Sequence, residues 1–150
     1  MHRRRTFLTL LGVLLVSSAM ARQPRVSRLS AISKGGNRTG QPFILGGFSQ
    51  GAMVAAQVAF LSDEPLRALV LLSGTVVDEA LWRNNYARRA GLHVFIAHGR
   101  ADPTLSFEVA ERMQGELAAA GMRVTWFPFD GKHEIPEEVV TALNEFFAHM

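Results

Sequence analysis

The chain reads PFILGGFSQGAMVAAQVAFL at residues 42–61, an apolar run, then a glycine-rich turn, then an alanine-rich stretch. This order is typical of a β-strand that ends in a sharp turn and leads directly into an α-helix. Ser49 stands at the turn, where a hydroxyl projects from the sheet beside the free N–H groups of the helix start. Glycines at 47 and 51 let the turn close, because side chains there would collide. The stretch predicts a nucleophilic serine, although the same pentapeptide also occurs in ordinary strand-to-helix turns.

Two later apolar runs are each followed by a residue that could serve as the acid or the base for a nucleophilic serine. The run LHVFIA at 92–97 leads into HGRADP, which makes Asp102 the candidate acid, and VTWFPF at 124–129 leads into DGKHEIP, which makes His133 the candidate base. The order serine, acid, histidine is that of one known class of serine hydrolases. Because the carboxyl ends of parallel strands share one rim, we expect Ser49, Asp102 and His133 to converge.

Other titratable residues near these segments offer alternatives. Asp130 and Glu134 flank His133 and could replace Asp102 as the acid, but residues adjacent in sequence to a loop histidine rarely reach back to its ring. His93 and His149 are expected to face solvent or to cap an element. The histidines are not spaced as metal ligands, and no phosphate-binding glycine loop occurs in the sequence, so we expect no metal and no cofactor.

Four segments together resemble the carboxylesterase and phospholipase family of α/β-hydrolases, which includes the acyl-protein thioesterases. They are LGGFSQGA at 45–52, LSG at 72–74, HGRADP at 98–103 and GKHEIP at 131–136, and the resemblance covers about residues 42–150. It implies that Ser49 is the nucleophile, Asp102 the orienting acid and His133 the general base.

The resemblance also implies the surroundings of these three residues. The N–H of Gln50 would form part of the oxyanion hole, and Phe48, Ser73 and Gly74 would contact the acyl group. The dipeptide of His98 and Gly99 would shape the turn that carries the acid, which is a structural role. At position 132, family members often carry glycine. The lysine of this chain is expected either to hinder the turn of the loop or to repel the charged form of His133, and neither effect is expected to abolish catalysis.

The rest of the pattern predicts an α/β fold in one domain, residues 41–150. Strands near 43–47, 67–73, 93–98 and 123–129 alternate with helices near 50–61, 106–120 and 136–149, which favours mostly parallel strands with flanking helices. Residues 76–90, around Trp82 and Tyr86, are interpreted as a surface helix or as a cover for the acyl pocket. Relative to the family, we expect a partial fold that lacks the N-terminal strands and the second oxyanion donor. Strand 43–47 would then be an exposed edge, suited to a homodimer.

Residues 1–40 differ sharply in composition from the remainder. They hold eight Lys and Arg and no acidic residue, so they account for the positive net charge, which is therefore no sign of nucleic-acid binding. A basic start, an apolar stretch and the sequence AMA predict a signal peptide at 1–21, with RRTFL resembling a twin-arginine signal. Residues 22–40 are predicted to be a linker or partial helix. These features favour a periplasmic or secreted protein, with the cytoplasm as the alternative.

These patterns lead to two hypotheses about function. The first is a serine carboxylesterase that hydrolyses esters or thioesters of short to medium acyl chains, lipid esters included, through an acyl-enzyme. The second is a truncated homologue that is catalytically weak or inactive and acts, if at all, with a partner subunit. The chain has no cysteine, which excludes disulfides and thiol chemistry.

Overall fold

Four parallel strands alternate with helices in the computed structural model, which describes residues 40–150. In chain order the elements are β1 (Phe43–Phe48), α1 (Gln50–Leu61), β2 (Leu66–Leu72), α2 (Glu79–Tyr86), a 3₁₀ turn (Ala87–Arg89), β3 (His93–Gly99), α3 (Phe107–Ala119), β4 (Arg123–Phe129) and α4 (Glu137–Ala148). The predicted signal peptide and all but the last residue of the predicted linker lie outside the described residues. No helix between residues 40 and 150 is long and apolar enough to cross a membrane.

The strands lie in the sheet in their sequence order, β1-β2-β3-β4, and every neighbouring pair is parallel. This arrangement confirms the predicted α/β class, and the strand bounds differ from the predicted ones by about one residue. Since all four strands run the same way, their carboxyl ends, at Phe48, Leu72, Gly99 and Phe129, form one rim. Among the described residues, β1 is an edge strand, as expected.

The sheet is covered by helices on both faces. Alternate residues of β2 point to opposite sides, as the two-residue period of a strand requires: Leu69 and Leu71 belong to one core, Val70 and Leu72 to the other. The first core contains buried residues of α1, α2 and α3, whereas the second contains Val139, Leu143 and Phe146 of α4. The last helix therefore returns to the face opposite the other three.

The segment 76–90 forms the predicted helix, α2, but its aromatic residues are part of the core. Trp82 and Tyr86 are buried, and their ring centroids lie 5.4 Å and 4.8 Å from that of Phe60 in α1. The indole Nε1 of Trp82 donates a hydrogen bond to Gln57 Oε1 at 2.6 Å. The two aromatic side chains thus fix α2 against α1, and they are not available to cover an acyl pocket.

Arg89 holds the carboxyl end of α1. Its guanidinium donates to the backbone carbonyl oxygens of Ala59 at 2.6 Å, Ser62 at 2.7 Å and Glu64 at 2.9 Å. The last carbonyls of a helix have no intrahelical partner, so one side chain here satisfies groups at the helix end and in the connection to β2.

We expect Arg89→Ala to lower the free energy of unfolding by about 2 kcal/mol, because hydrogen bonds from a charged donor to partly buried acceptors are lost. The matched control is Arg88→Ala. Arg88 is exposed and pairs with the exposed carboxylate of Asp63, so its loss is expected to cost less than about 1 kcal/mol. Urea unfolding of both variants measures the difference, and equal losses would contradict the capping role.

Candidate active site

Ser49 is the single residue between β1 and α1. Its φ of 53° and ψ of −120° lie in a region that residues other than glycine rarely adopt. The surrounding backbone holds it there: the Ser49 N–H donates to Leu72 O at 2.8 Å, and its carbonyl accepts from Ala52 N at 3.0 Å. A Cβ at Gly47 would overlap the carbonyl group of Gly51, so the predicted need for glycine is confirmed at position 47.

The hydroxyl of Ser49 does not cap the helix that it precedes. A serine at this position usually accepts a hydrogen bond from an N–H of the first helical turn, but no such side-chain bond forms here. Instead, Ser49 Oγ lies 2.8 Å from Nε2 of His133. The strained backbone therefore presents the hydroxyl to an imidazole on a distant loop.

Asp102 completes the hydrogen-bonded line. Nδ1 of His133 lies 2.7 Å from Oδ2 of Asp102, and the other carboxylate oxygen, Oδ1, accepts from the N–H groups of Thr104 at 2.8 Å and Leu105 at 3.0 Å. The Asp102 side chain is fully buried, whereas that of His133 is 19% exposed. The structure thus brings the three predicted residues together, with the acid enclosed and the histidine partly open to solvent.

The charge of Asp102 fixes the hydrogens of His133. Burial by itself would raise the pKa of the Asp102 carboxyl, but hydrogen bonds from the Leu105 N–H, the His133 ring and the Thr104 N–H outweigh it and hold the pKa below its ordinary value. An ionised carboxylate can only accept, so Nδ1 of His133 carries a hydrogen. Nε2 can then present its lone pair to the hydroxyl of Ser49, as a general base must.

Backbone hydrogen bonds join the loop that carries the acid to the loop that carries the histidine. In the acid loop (residues 100–106), Arg100 N donates to Phe129 O at 2.9 Å and Ala101 N donates to Gly131 O, in the base loop (residues 130–136), at 3.0 Å. Gly99 makes this approach possible, because a Cβ there would overlap the carbonyl oxygen of Lys132. The two loops are therefore held as one unit above the carboxyl ends of β3 and β4.

Lys132 does not hinder the turn of the base loop. The non-glycine residues with positive φ among residues 40–150 are Ser49 and Ser73, so position 132 needs no glycine. Its N–H donates to Glu134 Oε1 at 3.0 Å, which stabilises the turn and occupies that carboxylate. The expectation of hindrance is thus wrong.

The alternative acids make other contacts. Glu134 Oε1 accepts from the Lys132 N–H, and Asp130 is almost fully exposed, with Oδ1 3.5 Å from Nε of Arg100. Asp102 is consequently the carboxylate that bonds to the ring.

The other predicted site residues surround the Ser49 turn. The Phe48 ring centroid lies 4.9 Å from that of His133. Gln50 is exposed and begins α1, where its N–H has no intrahelical acceptor. Ser73 follows β2 with a φ of 46°, and its buried hydroxyl has no hydrogen-bond partner in the described part of the chain. A Cβ at Gly74 would lie 2.8 Å from Cβ of Ala52, so the loop after β2 packs against the start of α1.

The three remaining histidines in the described region have separate environments. His149 caps the end of α4, where its Nδ1 donates to Glu145 O at 2.8 Å, and His93 accepts from Arg123 at 3.3 Å at the opposite end of β3 from the site. His98 is fully buried, with Nε2 3.3 Å from Asp102 Oδ2. The structural role predicted for His98 did not include this contact with the acid, although its position four residues before Asp102 was a signal that the two side chains could meet. Within residues 40–150, no group of three or more acidic or histidine side chains is arranged to hold a metal ion.

Comparisons with known proteins agree with this geometry. The sequence model of the phospholipase/carboxylesterase family matches residues 29–150. Acyl-protein thioesterase 1 of Debaryomyces hansenii is 29% identical over 105 residues, which are 67% of this chain and 45% of that protein. The chain thus spans about half the length of this relative.

Solved structures show the same fold. The Bacillus cereus carboxylesterase has 27% sequence identity and a TM-score of 0.59, over 71% of this chain and 50% of that one. The Zea mays acyl-protein thioesterase 2 has 20% identity and a TM-score of 0.68, over 79% of this chain and 62% of that one. At that identity the second likeness concerns the fold alone, and the four-stranded sheet with its helices matches part of an α/β-hydrolase fold.

Proposed function

Because the chain belongs to the phospholipase/carboxylesterase family, we propose that it hydrolyses carboxylic esters or thioesters of short to medium acyl chains through a serine acyl-enzyme. The observation that carries this proposal is the hydrogen-bonded line from Ser49 Oγ through His133 to Asp102, with distances of 2.8 Å and 2.7 Å. A hydroxyl with an adjacent imidazole base, itself oriented by a carboxylate, is the arrangement that activates a serine for acyl transfer.

In the first half of the reaction, Ser49 Oγ attacks the acyl carbonyl carbon while His133 Nε2 takes the hydroxyl proton. Asp102 stabilises the imidazolium that forms, because its buried carboxylate already accepts from Nδ1. The negative oxygen of the tetrahedral intermediate accepts from the Gln50 N–H at the positive end of α1. The ester or thioester bond then breaks, and His133 gives its proton to the leaving alcohol or thiol.

In the second half, water replaces the leaving group. His133 Nε2 takes a proton from the water as its oxygen adds to the acyl carbon, and the bond to Ser49 Oγ breaks as that oxygen regains the proton. The carboxylic acid is released and the enzyme returns to its starting state. The apolar ring of Phe48, packed on His133, and the loop of Ser73 and Gly74, packed on α1, support an acyl group beside the reacting carbon.

A fluorophosphonate probe tests the proposed nucleophile. We expect the probe to label the chain at Ser49, identified by mass spectrometry, because only a serine with a working base reacts rapidly. Labelling should vanish in Ser49→Ala and persist in Ser62→Ala, a serine at the other end of the same helix. A folded protein labelled equally in both variants would refute Ser49 as the nucleophile.

The second candidate is that the chain is a weak or inactive homologue, which needs a second copy or a partner at the edge of its sheet. It is favoured by the position of β1, which pairs with β2 alone among the described strands although it carries the candidate nucleophile at its end. An unpaired strand edge is a ready site for another chain. Fluorophosphonate labelling, repeated over a range of protein concentrations, distinguishes an enzyme that is active alone from one that needs a second copy. A rate per molecule that rises with concentration supports completion by a second copy, and a constant rate contradicts it.

A further inference from the structure

We propose that His98 is a positioning residue for the acid of this site, which rests on the proposed function: its ring holds the Asp102 carboxylate and the acid loop in place. The His98 side chain is fully buried near the carboxyl end of β3. Its Nε2 lies 3.1 Å from the carbonyl oxygen of Leu105 and 3.3 Å from Asp102 Oδ2. One ring atom therefore contacts both the acid and the backbone that follows it.

The chemistry of these neighbours fixes the hydrogen on His98. A carbonyl oxygen and an ionised carboxylate both accept, so Nε2 carries the hydrogen, which it donates to Leu105 O while the Asp102 carboxylate lies 3.3 Å away. Nδ1 is buried and has no hydrogen-bond partner in the described region, so a hydrogen there would be left unsatisfied. The Phe107 ring packs edge-on against the imidazole, with centroids 6.2 Å apart.

Three hydrogen bonds and the contact with His98 surround the Asp102 carboxylate. Oδ1 accepts the N–H groups of Thr104 and Leu105, Oδ2 accepts His133, and His98 Nε2 lies 3.3 Å from Oδ2. The carboxylate cannot rotate without breaking several of these bonds. The contact with His98 is longer than the 2.7 Å bond to His133, so it supports the carboxylate without displacing the catalytic partner. His98 also binds the carbonyl of Leu105, whose N–H binds the same carboxylate, and so closes the acid loop on itself.

Three substitutions separate positioning from simple packing. Gln can place an amide N–H where His98 Nε2 stands. Asn is shorter and places its amide near Nδ1, away from the acid, and Leu fills the space without any donor. With a p-nitrophenyl ester as substrate, we expect His98→Leu and His98→Asn to lower kcat by about 10- to 100-fold, because a misplaced carboxylate misaligns His133. KM should stay unchanged because His98 is buried and acts through Asp102. His98→Gln should recover most of the lost kcat.

An equal loss of kcat in the Gln and Asn variants, or an effect on KM instead of kcat, would overturn the proposal. If the Leu variant does not fold, as judged by circular dichroism, the Gln and Asn pair still decides the question.

A second readout does not depend on turnover. The Nδ1 hydrogen of His133, bonded to Asp102 at 2.7 Å, should give a low-field proton resonance in the full-length chain. We expect the resonance in the wild type and in His98→Gln, and its loss or broadening in His98→Asn. If the wild type shows no ester hydrolysis but this pattern holds, the proposed function fails and the positioning role stands. A resonance unchanged in His98→Asn refutes the positioning role even if the enzyme is active.

Discussion

The His133→Ala variant is expected to hydrolyse esters about 10⁴- to 10⁶-fold more slowly than the wild type, as removal of the base does in enzymes of this mechanism. The Nε2 of His133 is the group placed to take the proton of Ser49 Oγ, at 2.8 Å. The alanine variant leaves that hydroxyl without a base and leaves the buried Asp102 carboxylate with one fewer donor. Initial rates with a p-nitrophenyl ester measure the loss.

The control for this variant is His93→Ala. His93 is the first residue of β3, at the end of that strand opposite the site, and its ring accepts from Arg123. We expect its activity to stay within about 2-fold of the wild type, because surface changes away from a site are usually small in effect. A His133→Ala enzyme that keeps a tenth or more of the wild-type rate would show that the proposed base is not the base.

The Gly99→Ala variant is expected to lose about 100-fold or more in kcat, since a displacement of about 1 Å at a catalytic group can cost that much. A Cβ at this position would overlap the Lys132 carbonyl and lie 2.5 Å from that of Gly131, both rigid backbone atoms. The base loop would have to move, and His133 with it. Strain of this kind also costs about 1–3 kcal/mol of stability. Ester hydrolysis and urea unfolding of the same preparation measure both effects.

Gly115→Ala is the matched control because it makes the same chemical change in open space. Gly115 lies inside α3, where a Cβ meets no atom within 4 Å. Alanine there should stabilise the protein by about 0.5–1 kcal/mol through helix propensity and leave hydrolysis unchanged. If Gly99→Ala behaves like Gly115→Ala, the close approach of the two loops does not position the histidine.

Local features of this fold were predictable because they depend on residues close in sequence. The strand, turn and helix around Ser49 follow from an apolar run, two glycines that must approach each other, and an alanine-rich stretch. The parallel order of the strands follows from their alternation with helices. The start of α3 is also set locally, since Ser106 accepts from Val109 N at 3.3 Å as a capping serine does.

Features that depend on contacts across the chain were predicted poorly. Trp82 and Tyr86 belong to a charged segment that favours a surface helix. In the structure α2 packs against α1, and both rings contact Phe60. The hindrance expected from Lys132 does not occur, since Lys132 is not among the residues with a positive φ. The contact between His98 and Asp102 needs the acid loop to fold back on β3, which the spacing of four residues is compatible with but does not determine by itself.

The sequence by itself determined the parallel α/β class, the turn that exposes Ser49 and the three strand ends that carry the candidate residues, because apolar periodicity and glycine act over a few residues. The tertiary structure decided which carboxylate bonds to His133 and how that carboxylate is held. Those choices depend on contacts of 2.7 Å from His133 and 3.3 Å from His98 to Asp102, and His133 is far from Asp102 in sequence. The packing of the whole sheet sets these distances, and residues from every strand and helix contribute to that packing.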